Sequence, residues 1–198
     1  FYVALSANRT FRHELCPNYK AHRLGKEKPI YLSDVFKTVE ERFDCLRLPN
    51  LEADDIMGIN STHPVYKDKI TIVSTDKDLK QIPGRHFNPD RDFSPSNITL
   101  DVANDFLFTQ WLMGDSADNI SGIKGIGPKK AADLLLTIKK HVGTKFEDIY
   151  AGIMHTYLEK GYSLEDAIKN YKLVKILRYE DVEPDWEAEW DNLLALKS

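Results

Sequence analysis

Residues 114–131 run Gly114-Asp115-Ser116-Ala117-Asp118-Asn119-Ile120-Ser121-Gly122-Ile123-Lys124-Gly125-Ile126-Gly127-Pro128-Lys129-Lys130-Ala131, and no other stretch restricts the chain so tightly. Two glycines around Ile126 let the backbone turn sharply with positive φ. Pro128 follows at a first helical position, where its missing N–H costs nothing. A hairpin leading into a new helix is therefore expected here, with Lys129 and Lys130 at the mouth of that helix. Unliganded N–H groups at such a mouth favour an anion, a phosphate for example. Asp115 and Asp118 stand just upstream. One segment thus offers carboxylates for a metal and, a turn later, a backbone grip for a phosphodiester. A lone Gly-x-Gly would equally fit a hairpin that merely packs, with solvated charges. The whole run of acids, glycines and lysines is more specific.

Two further acid-rich stretches precede it. Leu51-Glu52-Ala53-Asp54-Asp55-Ile56 sets three carboxylates within four residues. A helix N-terminus offsets their repulsion by about 0.3–1 kcal/mol per acid, and a divalent cation offsets far more. Glu52 and Asp55 fall on one helical face, while Asp54 points elsewhere. An acid-rich first turn is common in its own right, so alone this stretch is equally a helix start. Lys69 to Thr75 is β-branched and reads as a central parallel strand. It ends in Asp76-Lys77-Asp78, at the carboxyl end of the strand, where open α/β sheets gather their ligands. Carboxylate oxygens suit Mg²⁺ or Mn²⁺ rather than zinc.

The remaining elements give an α/β fold, a parallel sheet flanked by helices, with a helical region after it. Phe1 to Leu5 is a short apolar strand met without a start methionine, so the chain is expected to be a fragment. Ser33 is the expected N-cap of an amphipathic helix through Val35, Phe36, Val39, Phe43 and Leu46, its aromatic stripe facing the core. A strand is expected at Arg85-His86-Phe87, with His86 structural or solvent-facing. Helices follow from the Thr99 cap to Met113 (core face Val102, Phe106, Trp111, Leu112), from Pro128 to Lys140, over 146–159, and over 163–177 capped by Ser163. Trp186 and Trp190 read as packing anchors. The expected division is 1–98, containing a segment at 21–49, and 99–198, packed as one unit. Net charge is −4, which argues against a generic polyanion coat but permits local lysines beside an acid cluster. Cys16 and Cys45 read as free thiols of a reducing compartment. No apolar run reaches a membrane span, and no signal peptide is visible.

One basic segment remains. Pro17-Asn18-Tyr19-Lys20-Ala21-His22-Arg23 interleaves an aromatic with cations, so Tyr19 could stack on a base while Lys20 and Arg23 meet phosphates. By charge pattern alone a solvated surface loop is the favoured reading.

Taken together, Phe11-Arg12-x-x-Leu15 with Pro17-x-Tyr19-Lys20-x-x-Arg23, Glu52-Ala53-Asp54-Asp55, Ser74-Thr75-Asp76-Lys77-Asp78-Leu79 and the 114–131 run resemble, in order, the motifs of the 5′ nuclease family. That family includes flap endonucleases, phage 5′–3′ exonucleases and the nuclease domain of bacterial DNA polymerase I. The resemblance implies a PIN-like 5′ nuclease fold with a helix–hairpin–helix (H3TH), and 5′–3′ exonuclease or flap endonuclease activity. It implies one Mg²⁺ held or oriented by Glu52, Asp54 and Asp55, a second by Asp76, Asp78, Asp115 and Asp118, and Lys20 and Arg23 as clamps on the scissile phosphate. DNA contacts are expected from Arg12, Tyr19, Gly122, Lys124, Gly125, Gly127, Lys129 and Lys130, with K⁺ bound by hairpin carbonyls. Implied partners are DNA with a 5′ end, flap or nick, or an RNA/DNA hybrid, bound by a monomer in the cytoplasm of a bacterial or phage-infected cell. The family also carries aspartates near its N-terminus and before Phe-Arg that have no counterpart here. A non-catalytic or weakly active DNA-binding module is therefore the alternative. A small-substrate phosphatase would leave the hairpin and Tyr19-Lys20 without a role.

Overall fold

The computed structural model describes residues 1–23 and 25–182; Trp186 and Trp190 lie outside the described residues. Strand β1 (Tyr2–Ala4) pairs in parallel with β2 (Asp44–Leu46). Between them lie α1 (Phe11–Leu15), a 3₁₀ turn at Ala21–Arg23 and α2 (Leu32–Arg42). Helix α3 (Ala53–Thr62) leads to β3 (Thr71–Val73). A 3₁₀ turn at Asp78–Gln81 then leads to β4 (Gly84–Phe87), which lies parallel to β3 and antiparallel to β5 (Ser96–Ile98). The expected parallel pairings are present, but divided between two small sheets.

The 33–46 stretch departs from expectation. Tyr31, not Ser33, is the N-cap of α2, and Phe43 already has extended backbone, so Cys45 and Leu46 belong to β2. No residue of α2 is buried; Val35 and Phe36 are exposed. Amphipathic spacing encodes a sided helix but not a partner for that side. β1 departs as well: Phe1 and Tyr2 are exposed, because the strand has a single neighbour.

Helix α4 (Leu100–Met113) is the beam of the helical half. The Thr99 hydroxyl caps it by accepting from the Val102 N–H at 3.3 Å. Its buried face is Ala103, Leu107, Phe108, Gln110, Trp111 and Leu112, whereas Val102 faces solvent. Helices α5 (Pro128–Val142), α6 (Phe146–Glu159) and α7 (Leu164–Val174) pack around it. Trp111 is fully buried among Tyr150, Tyr157 and Tyr171. Its indole N–H donates to the Ala167 carbonyl at 2.8 Å, so this buried donor is satisfied. Ser163 caps α7 as expected, bonded to Asp166.

Residues after α7 return to the α/β half. Leu177, Tyr179 and Val182 pack beside Leu51, Ile56 and Ile59 of the α3 region, and Ile176 joins Ile72, Leu79 and Ile82. Gly58 makes this approach possible: a Cβ there would lie 2.1 Å from the Leu177 carbonyl oxygen. Residues 176–182 therefore join the helical part to the α/β part. The return segment, residues 173–178, passes directly behind the acid-rich turns.

Candidate metal centre

Three acid-bearing turns meet at one cleft. Glu52, Asp54, Asp78, Asp115 and Asp118 line it, together with Tyr19, Gln81 and Gln110, around a volume of about 30 Å³. Glu52 is the N-cap of α3, and Asp54 lies in its first turn. Asp76 and Asp78 follow β3; the Asp76 carboxylate accepts the Asp78 N–H at 2.9 Å, which tightens that turn. Asp115 and Asp118 belong to the turn between β6 (Gly114–Asp115) and β7 (Ile120–Ser121). Gly114 and Gly122 face each other so closely that a Cβ on Gly122 would lie 2.2 Å from the Gly114 nitrogen. Only glycine lets this turn fold back on itself.

Crowding of like charge is visible in the electrostatics. Burial, then Asp76, Glu52 and Asp55, push the Asp54 carboxyl up to about 7 against the pull of Lys20. Burial, Asp76 and Asp115 also raise the Asp78 carboxyl. These two acids lack enough cation nearby to stay comfortably ionised.

Glu52 and Asp118 are better compensated. Lys20 Nζ donates to Glu52 Oε1 at 2.7 Å and lies 3.4 Å from Asp118 Oδ2. Arg23 donates to Asp118 Oδ1 at 2.6 Å. The basic loop is also fixed through its backbone: the Lys20 N–H donates to the Asp118 carbonyl at 3.0 Å, and Asn119 Nδ2 to the Asn18 carbonyl at 2.8 Å. Lys20 and Asn119 both adopt positive φ, 53° and 60°, to make this contact.

Three expected site residues are reassigned. Tyr19 offers no face for a base. It is 3% exposed, and its hydroxyl proton is shared between Glu52 Oε2 at 2.9 Å and Asp118 Oδ2 at 3.1 Å. Arg12 is no DNA contact either, being 3% exposed and bidentate to Asp55 at 2.6 and 2.8 Å. Its remaining donors reach the carbonyls of Leu173 and Lys175 at 3.0 and 2.6 Å. Asp55 accepts those two bonds and the N–H groups of Glu52 and Leu177, both at 3.1 Å. A carboxylate has about four acceptor sites, so none remains for an ion. Asp55 anchors the site instead of ligating in it. Local spacing placed all three near the acids; the distant 173–178 segment decided the roles of Arg12 and Asp55, and Glu52 with Asp118 that of Tyr19.

The other expected contacts are surface groups. Lys124, Gly125, Gly127, Lys129 and Lys130 are exposed, with Gly122 half-buried beside the acid turn. Gly125 takes φ 81°, as the turn requires, and Lys130 Nζ donates to its carbonyl at 3.1 Å. Two residues absent from the sequence reading, Gln81 and Gln110, are buried in the cleft wall. The signal for Gln110 was a polar residue on the apolar face of α4.

Among the described residues, no three His, Cys, Asp or Glu side chains converge tightly enough to enclose an ion directly. The donor set still suits a hard divalent cation. Mg²⁺ keeps several waters and takes only one or two carboxylates directly, so acids ringing a small polar cavity fit it.

Comparison with known proteins follows the same lines. Residues 1–92 match the family model "5′-3′ exonuclease, N-terminal resolvase-like domain". The exonuclease of Escherichia phage T7 is 31% identical over 209 residues, covering 90% of this chain and 69% of that protein. The chain belongs to the 5′ nuclease family. This nuclease is also 29% identical to the exodeoxyribonuclease of Enterobacteria phage T3, over 90% of its own length and 68% of the relative. It is 29% identical to DNA polymerase I of Bacillus caldotenax, over 88% of the chain but 21% of the polymerase. Its fold matches the bacteriophage T5 flap endonuclease, solved as a pseudo-enzyme–product complex with DNA and metal ions. The TM-score is 0.65 at 22% identity, covering 88% of this chain and 73% of that one. It also matches the T5 5′-exonuclease with zinc bound, with a TM-score of 0.61 at 22% identity over 87% and 72% of the two chains. No helix among the described residues is long and apolar enough to cross a membrane.

Proposed function

We propose that this nuclease hydrolyses DNA phosphodiesters at a 5′ end, flap or nick, with two divalent ions, Mg²⁺ or Mn²⁺, held in the carboxylate cleft. The observation that carries the proposal is the meeting of Glu52, Asp54, Asp78, Asp115 and Asp118 around one cavity. Asp76 is close enough to raise the carboxyls of both Asp54 and Asp78. Glu52 and Asp54 would hold one ion, and Asp76, Asp78, Asp115 and Asp118 the other. When bound, such ions lower the pKa of water and neutralise charge building on the phosphoryl group.

The remaining steps belong to side chains. Lys20 and Arg23 stand at the rim with their charge already directed at Glu52 and Asp118. On substrate binding they turn this charge to the scissile phosphate and stabilise its extra negative charge in the transition state. Tyr19 keeps its proton, because burial and Glu52 push its phenol well above the ordinary range, and it ties α3 to the 115–118 turn. Lys124, Lys129, Lys130 and the Gly122–Gly127 backbone hold duplex phosphates without reading sequence. The Gly125 carbonyl already draws the Lys130 ammonium, which supports a K⁺ site on the same hairpin.

The test is cleavage of a 5′-tailed duplex by the wild-type chain and by an Asp76→Asn/Asp78→Asn variant, each with Mg²⁺ and with EDTA. Cleavage is expected only for wild type with Mg²⁺, while the variant binds DNA as tightly or more tightly. A chain that binds the duplex but never cuts it would make the protein a DNA-binding module and defeat the proposal.

A further inference from the structure

We infer that Gln110 is a positioning residue for the Asp78 carboxylate, and that Gln81 and the return segment after α7 fix the direction in which it donates. The inference rests on the metal-dependent reading above and adds to it residues that carry no charge and belong to none of the acid motifs.

The chain of contacts is continuous. Gln110 Nε2 donates to Asp78 Oδ1 at 2.8 Å. Gln110 Oε1 accepts from Gln81 Nε2. Gln81 Nε2 also donates to the Val174 carbonyl at 2.8 Å, and Gln81 Oε1 accepts the Ile176 N–H at 3.0 Å. Arg178 donates to the Gln81 main-chain carbonyl at 2.7 Å and to Asn104 of α4 at 2.8 Å. Gln81 and Gln110 are 2% and 4% exposed, so water does not compete for these bonds.

The backbone removes any ambiguity of amide orientation. An N–H can only donate and a C=O can only accept, so Ile176 and Val174 together admit one orientation of the Gln81 amide. That orientation turns the Gln81 amino group towards Gln110, which must answer with its oxygen. The Gln110 amino group is then left facing Asp78. Two side-chain amides, which elsewhere are free to flip, transmit a fixed polarity from residues 174–176 to Asp78.

Such a donor matters at this acid. Asp78 lines the cleft with Asp115 and Asp118, and its Oδ1 is the atom that Gln110 holds. A donor fixed on Oδ1 restrains the rotation of a carboxylate that lines the cleft. Outer partners of this kind orient metal-ligating carboxylates, and their loss costs 10–100-fold in metal affinity or activity.

The test is Mn²⁺ binding by the protein alone, read from the electron paramagnetic resonance of free Mn²⁺, with thermal unfolding measured alongside. Gln110→Met fills the same space and leaves Gln81 its Val174 and Ile176 bonds, so the fold is expected to survive. Its cleft Mn²⁺ Kd is expected to rise about 10-fold or more. Gln81→Met, one bond further back, is expected to raise it less. In an Asp78→Asn background Gln110→Met should add nothing, since the two act as a unit. A Gln110→Met protein with lowered Tm but a Kd within about twofold of wild type would reduce Gln110 to packing and overturn the inference. The same holds if Gln110→Met weakens binding equally with and without Asp78. Should Gln110→Met not fold, Gln81→Met with an unshifted Kd overturns it. A wild-type protein that takes up no Mn²⁺ would instead defeat the metal-dependent reading itself, a distinct result.

Discussion

Asp54→Asn removes one negative charge from the most crowded point of the cleft. The Asp54 carboxyl rises from 3.8 to about 7 on folding. Between roughly pH 4 and pH 7 the folded chain therefore keeps a proton that the unfolded chain has lost. Stability from this group is greatest at acid pH, falls as pH climbs through that window, and reaches its full penalty above about pH 7. Roughly three pKa units at about 1.4 kcal/mol each set a ceiling near 4 kcal/mol. The side chain is only half-buried, and solvent screening brings the expected relief to about 1–2 kcal/mol. For a chain of this length that is a Tm increase of about 2–8 °C. The assay is thermal unfolding of wild type and Asp54→Asn in EDTA at pH 5 and at pH 8. The variant's advantage should be well under half its full size at pH 5, early in that window, and should reach full size at pH 8. Saturating Mg²⁺ at pH 8 should then stabilise wild type much more than the variant. A variant that is equal or less stable at pH 8 in EDTA would refute the idea that uncompensated carboxylates crowd this cleft.

Other substitutions probe the rest of the site. Arg12→Met leaves the buried Asp55 charge unpaired and should cost about 3–5 kcal/mol in urea unfolding, with Arg12→Met/Asp55→Leu recovering part of it. Lys20→Ala should slow single-turnover cleavage by about 10²–10³-fold while the duplex remains bound, as expected of a group that stabilises developing charge. Gly58→Ala drives a Cβ to 2.1 Å from the Leu177 carbonyl oxygen and should displace the return segment. Its expected cost is about 1–3 kcal/mol, with weaker Mn²⁺ binding than wild type.

The acid motifs were legible because each sits in a short local frame: an α3 N-terminus, the end of β3, a two-glycine turn. The helix over 146–159 and the Ser163 cap were legible for the same reason, since periodicity and capping act within a few residues. The roles of Arg12, Tyr19 and Asp55 were not, because residues far away in the chain decide them. Arg12 and Asp55 are sealed by Leu173, Lys175 and Leu177, contacts that spacing near residue 12 or residue 55 does not encode. Tyr19 has the composition of a stacking residue, yet it spends its hydroxyl on two acids from different turns. Gln81 and Gln110 carry no charge and lie 29 positions apart, so only the fold reveals them as a pair. Helix α2 fails differently: its apolar spacing is real, but an apolar face does not name what covers it.

The central claim is that acids from three turns converge to hold divalent ions. The most direct measurement is anomalous scattering from crystals grown with Mn²⁺. Two Mn²⁺ peaks about 4 Å apart are expected inside the cleft. They should lie among Glu52, Asp54, Asp76, Asp78, Asp115 and Asp118, with Lys20 turned away from Glu52 and Arg23 from Asp118. Fully loaded crystals with no Mn²⁺ in the cleft, and those ion pairs intact, would contradict the account.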